Sequence, residues 1–171
     1  DAIRHRIGLL PEDRKHAGLI LDLSIKENIT YGILKKLSRH SFIRKKKESE
    51  LCDRLIRDLQ IKTPSMEQKA GNLSGGNQQK VVIAKWLASD CEILVFDEPT
   101  RGIDVGAKQE IYALLKKLAN EGKSIIMISS EMPELLGMSD RILVMHDGRI
   151  TGELAKDQFS QEKVLELASS S

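Results

Sequence analysis

The chain has 171 residues, of which 40% are hydrophobic and 30% charged, with 12 glycines and 4 prolines. That is enough chain for one domain with a sizeable core, and the composition excludes collagen-like and broadly disordered proteins. Lys+Arg 27 against Asp+Glu 25 leaves +2, which gives no composition-level case for nucleic-acid binding.

Arg6 to Leu10 predicts a short strand stopped by Pro11, and Glu12 to Leu21 a polar loop carrying Gly18. Ser24-Ile25-Lys26-Glu27 has the spacing of a capping box, so a helix is expected to start there. A second helix is predicted from Phe42 to Leu59, where Leu51, Leu55 and Leu59, flanked by Cys52 and Ile56, make one apolar stripe. Its first turn carries Arg44-Lys45-Lys46-Lys47. A patch for a partner or for lipid headgroups is one reading of that run; a solvated helix face is the simpler one, and the absence of interleaved aromatics argues against RNA.

After Gly71 the pattern alternates. Glu92 to Asp97 and Ser124 to Ser129 read as buried strands, joined by a helix from Val105 to Ala119 that Gly122 closes; this is a βαβ unit with a parallel sheet. Arg141 to Met145 and Arg149 to Leu154 flank an Asp147-Gly148 turn and predict a hairpin or sheet edge, followed by an amphipathic helix over Ser160 to Leu167. The fold expected is α/β with a helical insert.

Cys52 and Cys91 have neither a Cys-x-x-Cys nor a Cys/His cluster and are expected as reduced structural thiols. His5, His16, His40 and His146 have no metal-ligating partner at helical spacing and are expected at the surface. The most apolar runs, Ile93 to Phe96 and Ile125 to Ile128, fall far below the ~20 residues of a membrane helix.

Two local patterns carry chemistry. In Ile93-Leu94-Val95-Phe96-Asp97-Glu98 a buried strand stops at two adjacent carboxylates, at the sheet edge where α/β folds place ligands. Asp97 suits a Mg²⁺ position, because magnesium takes one or two carboxylates besides phosphate and water. Glu98 suits the group that orients or deprotonates an attacking water. The alternative is a strand end solvated by two acids. In Leu73-Ser74-Gly75-Gly76-Asn77-Gln78-Gln79-Lys80 a helix opens on a residue able to cap it and on two glycines that admit a close backbone approach, which suits a phosphate. An ordinary capped helix after a glycine loop is the alternative.

Together these residues resemble the ATPase subunits of ABC transporters, in which Leu-Ser-Gly-Gly-x-Gln-Gln is the signature motif and the strand ending Asp-Glu-Pro-Thr is Walker B. Arg101-Gly102-Ile103-Asp104 matches the position of the D-loop, Ile128-Ser129-Ser130-Glu131 that of the switch-histidine loop, and Leu10-Pro11-Glu12 that of the Q-loop. Residues 24–70 match the helical subdomain, between a first core segment at 1–23 and the signature, Walker B and switch core at 71–157; residues 158–171 form a terminal helix and tail. The runs Ser74 to Lys80, Asp97 to Lys108 and Ser129 to Leu136 resemble the C-terminal cassette of tandem monosaccharide importers of the ribose and galactose type.

The resemblance implies a P-loop-NTPase-like parallel sheet and ATP with Mg²⁺ as cofactors. It implies catalytic places for Glu98, Ser130 and Asp104, nucleotide contacts for Ser74, Gly75, Gly76, Gln78 and Glu12, and metal places for Asp97 and Glu12. Two cassettes of the family sandwich ATP head to tail, so Ser74, Gly75 and Gly76 would serve a second cassette's nucleotide. The other implied partners are a transmembrane permease, met by the Glu12 to Leu21 loop and the helical subdomain, and, indirectly, an extracytoplasmic sugar-binding protein. The implied location is peripheral, on the cytoplasmic face of the bacterial inner membrane.

Three departures stand against that pattern. No Gly-x-x-x-x-Gly-Lys-Ser/Thr occurs in the 171 residues. The P-loop and its strand are expected before Asp1, and the chain alone is expected to bind ATP poorly. Glu12 replaces a usual glutamine. Ser130 replaces the usual histidine and cannot supply a titrating imidazole. Two further functions fit the same motifs: a module that donates its signature without hydrolysing, and a soluble ABC-type ATPase of repair or translation. Against the latter stand the lack of a sustained heptad and of net basicity.

Overall fold

The computed structural model describes residues 1–40 and 42–169, so Ser170 and Ser171 of the expected tail lie outside the described residues. Two compact units divide the chain, Asp1–Ile128 and Ser129–Ser171. The first contains, in order, β1 (Ile7–Leu10), α1 (Ile25–Thr30), α2 (Leu34–Leu37), β2 (Ser38–Arg39), β3 (Phe42–Ile43), α3 (Lys45–Asp58), α4 (Gly75–Ala88), β4 (Ile93–Asp97), α5 (Val105–Asn120) and β5 (Ser124–Ile128). The second contains α6 (Met132–Met138), β6 (Arg141–His146), β7 (Arg149–Ala155) and α7 (Gln161–Ser169).

The sheet of the first unit is parallel, in the order β1-β4-β5. The order advances in one direction, so right-handed crossovers place α4 and α5 on the same face. On that face Leu10, Leu94 and Phe96 are buried, and a methyl group built onto Gly8 would lie 2.9 Å from the Trp86 ring, so β1 lies directly against α4. The opposite face is bare. Leu9, Val95 and Ile126 share one rung of it, and Leu9, Ile126 and Ile128 are each about half exposed. The expectation of two buried strands is therefore corrected: β4 and β5 alternate, because the helices of the first unit cover one side only. α5 ends as predicted, with Gly122 at φ +88° and the amides of Gly122 and Lys123 closing on Ala119 and Leu118.

α4 is the most enclosed element: Val81, Val82, Ile83 and Ala84 are all fully buried. Such a helix has no solvent face for its polar residues, and each needs a protein partner. Lys80 donates to the Gln60 carbonyl (3.1 Å) and to Glu110 of α5 (2.8 Å), and Lys85 donates to the Gly18 carbonyl at 2.6 Å. Burial lowers the pKa of Lys85. Hydrogen bonds from Lys80 and Lys62 hold the Glu110 carboxyl down at about 2.

The helical segment begins at the predicted capping box: the Ser24 hydroxyl accepts from the Glu27 amide (3.1 Å) and the Glu27 carboxylate accepts from the Ser24 amide (2.8 Å). Residues 66–71 run back beside residues 21–26, with bonds from Ile25 to Gln68, Ala70 to Leu23 and Gly71 to Leu21. Asn28 is buried and knits the entry loop, bonding both the amide and the carbonyl of Ile20. The predicted helix over Phe42 to Leu59 starts later. Phe42–Ile43 instead pairs antiparallel with Ser38–Arg39, and α3 runs from Lys45 with Cys52, Leu55 and Leu59 buried. Arg44 turns back to the carbonyls of Lys36 and Leu37, while Lys45, Lys46 and Lys47 are solvated.

Both cysteines are free and buried, and burial pushes the Cys52 thiol up to about 12. His5, His16 and His40 are exposed and His146 is half-buried. In the second unit β6 and β7 form the predicted hairpin across Asp147-Gly148, and Ile142, Val144, Leu154 and Val164 make its core.

Replacing Glu110 by alanine strands the ammonium of Lys80, only 3% exposed, with one carbonyl partner. Discounted for the exposure of Glu110 itself, the loss is expected to be about 2 kcal/mol in urea unfolding. Because the folded carboxyl titrates below its ordinary 4.5, the bridge contributes fully above that pH, and its contribution fades as pH falls toward about 2; the alanine variant loses this part of the acid dependence.

Candidate functional site

The strand order sets the site, because β1, β4 and β5 all deliver their following loops to one edge. Leu10 pairs with Phe96, so Glu12 and Glu98 both leave the sheet two residues past the same rung. Asp97 is the last residue of β4, half-buried and in register with Ile128. Glu98 has φ +48°, a left-handed backbone rare for a side chain of its size, and its amide donates to the Ile128 carbonyl at 2.9 Å. Pro99 and Thr100 behind it are buried. The two acids thus leave the strand with different backbone geometry, one extended and one left-handed.

Beyond this edge the loop after β1 grips the loop after β4. The Glu12 carboxylate pairs with the Arg101 guanidinium, while Arg14 donates to the carbonyls of Arg101 (2.8 Å) and Gly102 (3.2 Å). Asp13 caps the π-type turn Arg14–Gly18 by accepting from the amides of Lys15 and His16. Its carboxyl is held below the ordinary range, chiefly by the hydrogen bond with the His16 ring.

The second part of the site surrounds the start of α4. Ser74 occupies the N-cap position, but its hydroxyl accepts from the Asn77 side chain (3.0 Å) rather than from a backbone amide, so it does not cap as its type suggests. Asn77 in turn accepts from the Lys62 amide at 2.9 Å. Gly76 must be small, because a methyl there would lie 2.7 Å from the Ala107 Cβ on α5. Ser74, Gly76, Asn77, Lys62, Asp104 and Glu110 line one cavity. Asp104 does cap its helix, accepting from the Ala107 amide at 2.9 Å. Gln78 points inward: it is buried and its side-chain nitrogen donates to the Ala70 carbonyl. Ser130 belongs to the second unit, where it is exposed next to Ser129, whose hydroxyl bonds Glu134.

The structure thus brings Ser74, Gly76 and Asp104 to one cavity, places Glu12 against Arg101, and sets Asp97 and Glu98 at the sheet edge. Arg14, Lys62, Asn77 and Glu110 complete these surroundings. None has a periodic or motif signal, apart from the adjacency of Asn77 to the two glycines. Among the described residues no three His, Cys, Asp or Glu side chains gather to hold a metal ion. Magnesium bound with a nucleotide needs only one or two carboxylates from the protein, so Asp97 fits that use.

A parallel sheet with two carboxylates at its carboxyl edge and a glycine-opened helix beside it defines an ATP-binding cassette. The chain belongs to the ABC transporter family, whose pattern it matches over residues 1–101. It is 54% identical over 98% of its length to the ribose import ATP-binding protein RbsA of Bacillus licheniformis, and 53% identical over 98% to that of Streptococcus agalactiae. It spans about a third of the length of these relatives, 34% in each case. Among solved structures it superposes on a dimeric ATP-binding cassette in a post-hydrolysis state bound to ADP and Pi, with a TM-score of 0.74 and 24% identity over 92% of this chain and 67% of that one. At that identity the likeness speaks for the fold alone. The fold is accordingly that of ABC ATPases, as the motifs led one to expect.

Asp104→Ala removes the α5 cap and is expected to lower stability by about 1 kcal/mol, whereas Asp104→Ser keeps a capping oxygen and most of the stability. Thermal melts of the two variants, compared with their ATP turnover, separate the cap from any catalytic part.

Proposed function

We propose that this chain is part of the ATP-hydrolysing subunit of an ABC importer that couples ATP binding and hydrolysis to uptake of a monosaccharide. The observation that carries the proposal is the sheet edge where β4 delivers Asp97 and a left-handed Glu98, in a chain 54% identical to a ribose import ATP-binding protein. Mg-ATP, when bound, supplies the phosphoryl group to be transferred to water and the charge that draws Asp97. Asp97 holds the metal from the strand end. Glu98, fixed through its amide to Ile128, orients and deprotonates the attacking water. The Ser130 hydroxyl donates to phosphate, without the charge an imidazolium would add.

Ser74, Gly75 and Gly76 face the nucleotide of a second cassette, where the amides opening α4 suit a phosphate. Gln78 supports them from behind through Ala70, and Glu12, occupied by Arg101, leaves Asp97 as the carboxylate for magnesium. The 171 residues contain no P-loop motif; in this reading the loop that cradles the cassette's own ATP comes from elsewhere in the subunit. The Glu12 to Leu21 loop and the helical segment meet a transmembrane permease, which an extracytoplasmic sugar-binding protein loads. The place proposed is peripheral, on the cytoplasmic face; among the described residues no helix is long and apolar enough to cross a membrane.

Calorimetry with Mg-ATP on the 171-residue chain and on the subunit extended upstream tests the nucleotide site. Micromolar binding is expected of the extended protein only; equal binding by the short chain would overturn the assignment. In the complete subunit Glu98→Gln is expected to reduce hydrolysis about 100-fold or more while Mg-ATP affinity stays within about twofold. Ser130 favours a second reading, in which the cassette only donates its signature; unchanged hydrolysis and uptake in Glu98→Gln would establish that reading instead.

A further inference from the structure

Arg14 lies in the polar segment after β1, yet its side chain reaches two separate parts of the first unit. Nη1 and Nη2 donate to successive carbonyls, Arg101 at 2.8 Å and Gly102 at 3.2 Å. The same Nη2 lies 2.6 Å from where a Cβ on Gly75 would stand, so the guanidinium rests against the first residue of α4. A planar fork spans two successive carbonyls in a way that a single ammonium cannot. Side-chain contact with Gly75 is possible only because that residue has no Cβ.

The turn that carries Arg14 is itself held at both ends. Asp13 caps its beginning, and at its end the buried Gly18 gives its carbonyl to Lys85 of α4. Glu12 adds an ion pair to the Arg101 side chain, so the loop after β1 engages both the main chain and the side chain of one residue. Two residues past Gly102 is Asp104, which caps α5 and lines the cavity with Ser74 and Gly76.

We infer that Arg14 is a positioning residue: by spanning Arg101, Gly102 and Gly75 it fixes the 101–104 loop against the start of α4. The inference rests on the proposed function, since it takes the start of α4 and Asp104 to face nucleotide. Arg14 touches no reacting atom in this scheme. It sets where Gly75 and Asp104 stand, and its loss should slow turnover without weakening the binding of ATP.

The test uses the complete subunit assembled with its permease and compares Arg14→Met and Arg14→Lys with the parent. Hydrolysis is measured for kcat and KM, amide hydrogen exchange is followed at the bonded amides of Gln78, Arg101 and Ile103, and the thermal midpoint is recorded. Two hydrogen bonds from a charged donor are lost in Arg14→Met, so about tenfold faster exchange at those amides is expected, with kcat down about tenfold and KM changed less than about twofold. Arg14→Lys, which keeps one bond, recovers part of both effects. Parent-like exchange at Gln78, Arg101 and Ile103 in Arg14→Met overturns the inference, whatever the hydrolysis rate. So does local loosening with unchanged kcat, or loosening spread over the whole chain with a matching fall in the thermal midpoint. A parent that does not hydrolyse ATP refutes the proposed function instead, and the exchange measurement still decides whether Arg14 holds the two loops.

Discussion

The burial of α4 is the constraint on which the first unit depends. A helix packed on every side must place its polar groups against protein, and the partners of Lys80 and Lys85 outside the helix belong to three different segments: Gln60 in the helical part, Glu110 on α5 and Gly18 after β1. Each polar bond therefore fixes one neighbour relative to the same axis. Satisfying the helix locates the loops around it, and the site inherits its geometry from that requirement.

The same crowding gives the two glycines of the signature a packing reason beside any binding one. Gly76 lets α4 approach Ala107 on α5, and Gly75 leaves room for a guanidinium. Small side chains here serve close backbone approach within the fold, and in the proposed assembly the same lack of bulk leaves the helix amides open to phosphate. At the sheet edge the economy differs: Glu98 holds a left-handed backbone because its amide is tied to β5 while Pro99 and Thr100 are buried behind it.

Much of the fold was legible wherever a pattern depends on neighbours in sequence. The Ser24–Glu27 box, the βαβ unit, the Asp147-Gly148 hairpin and the stripe of α3 are all local, and all are present. Of the failures, one is non-local and two are local competitions. Apolar runs at 93–97 and 124–128 look the same whether one or both faces are covered, so the bare face was not readable. Phe42 and Ile43 left the predicted helix because two residues at 38–39 were available to pair with them. Ser74 kept the position of a cap but gave its hydroxyl to Asn77. Around the candidate site, Asp97, Glu98, Ser74, Gly76 and Asp104 stand out in the sequence through motif, whereas Arg14, Lys62 and Glu110 bond partners tens of residues away and leave no mark on the sequence around them.

The pairing of β1 with β4 also sets the order in which the chain can fold. Ile7 finds its partner only at Ile93. At about 5–20 residues per second, about 86 residues of further synthesis leave Ile7-Gly8-Leu9-Leu10 without a strand to pair with for roughly 4–17 s on the ribosome. In that interval the capped helices between them can close on local contacts, while the strand that seats against Trp86 waits in an unpaired, apolar state. The first strand of this sheet is thus secured only after the whole helical segment between it and its partner has been made.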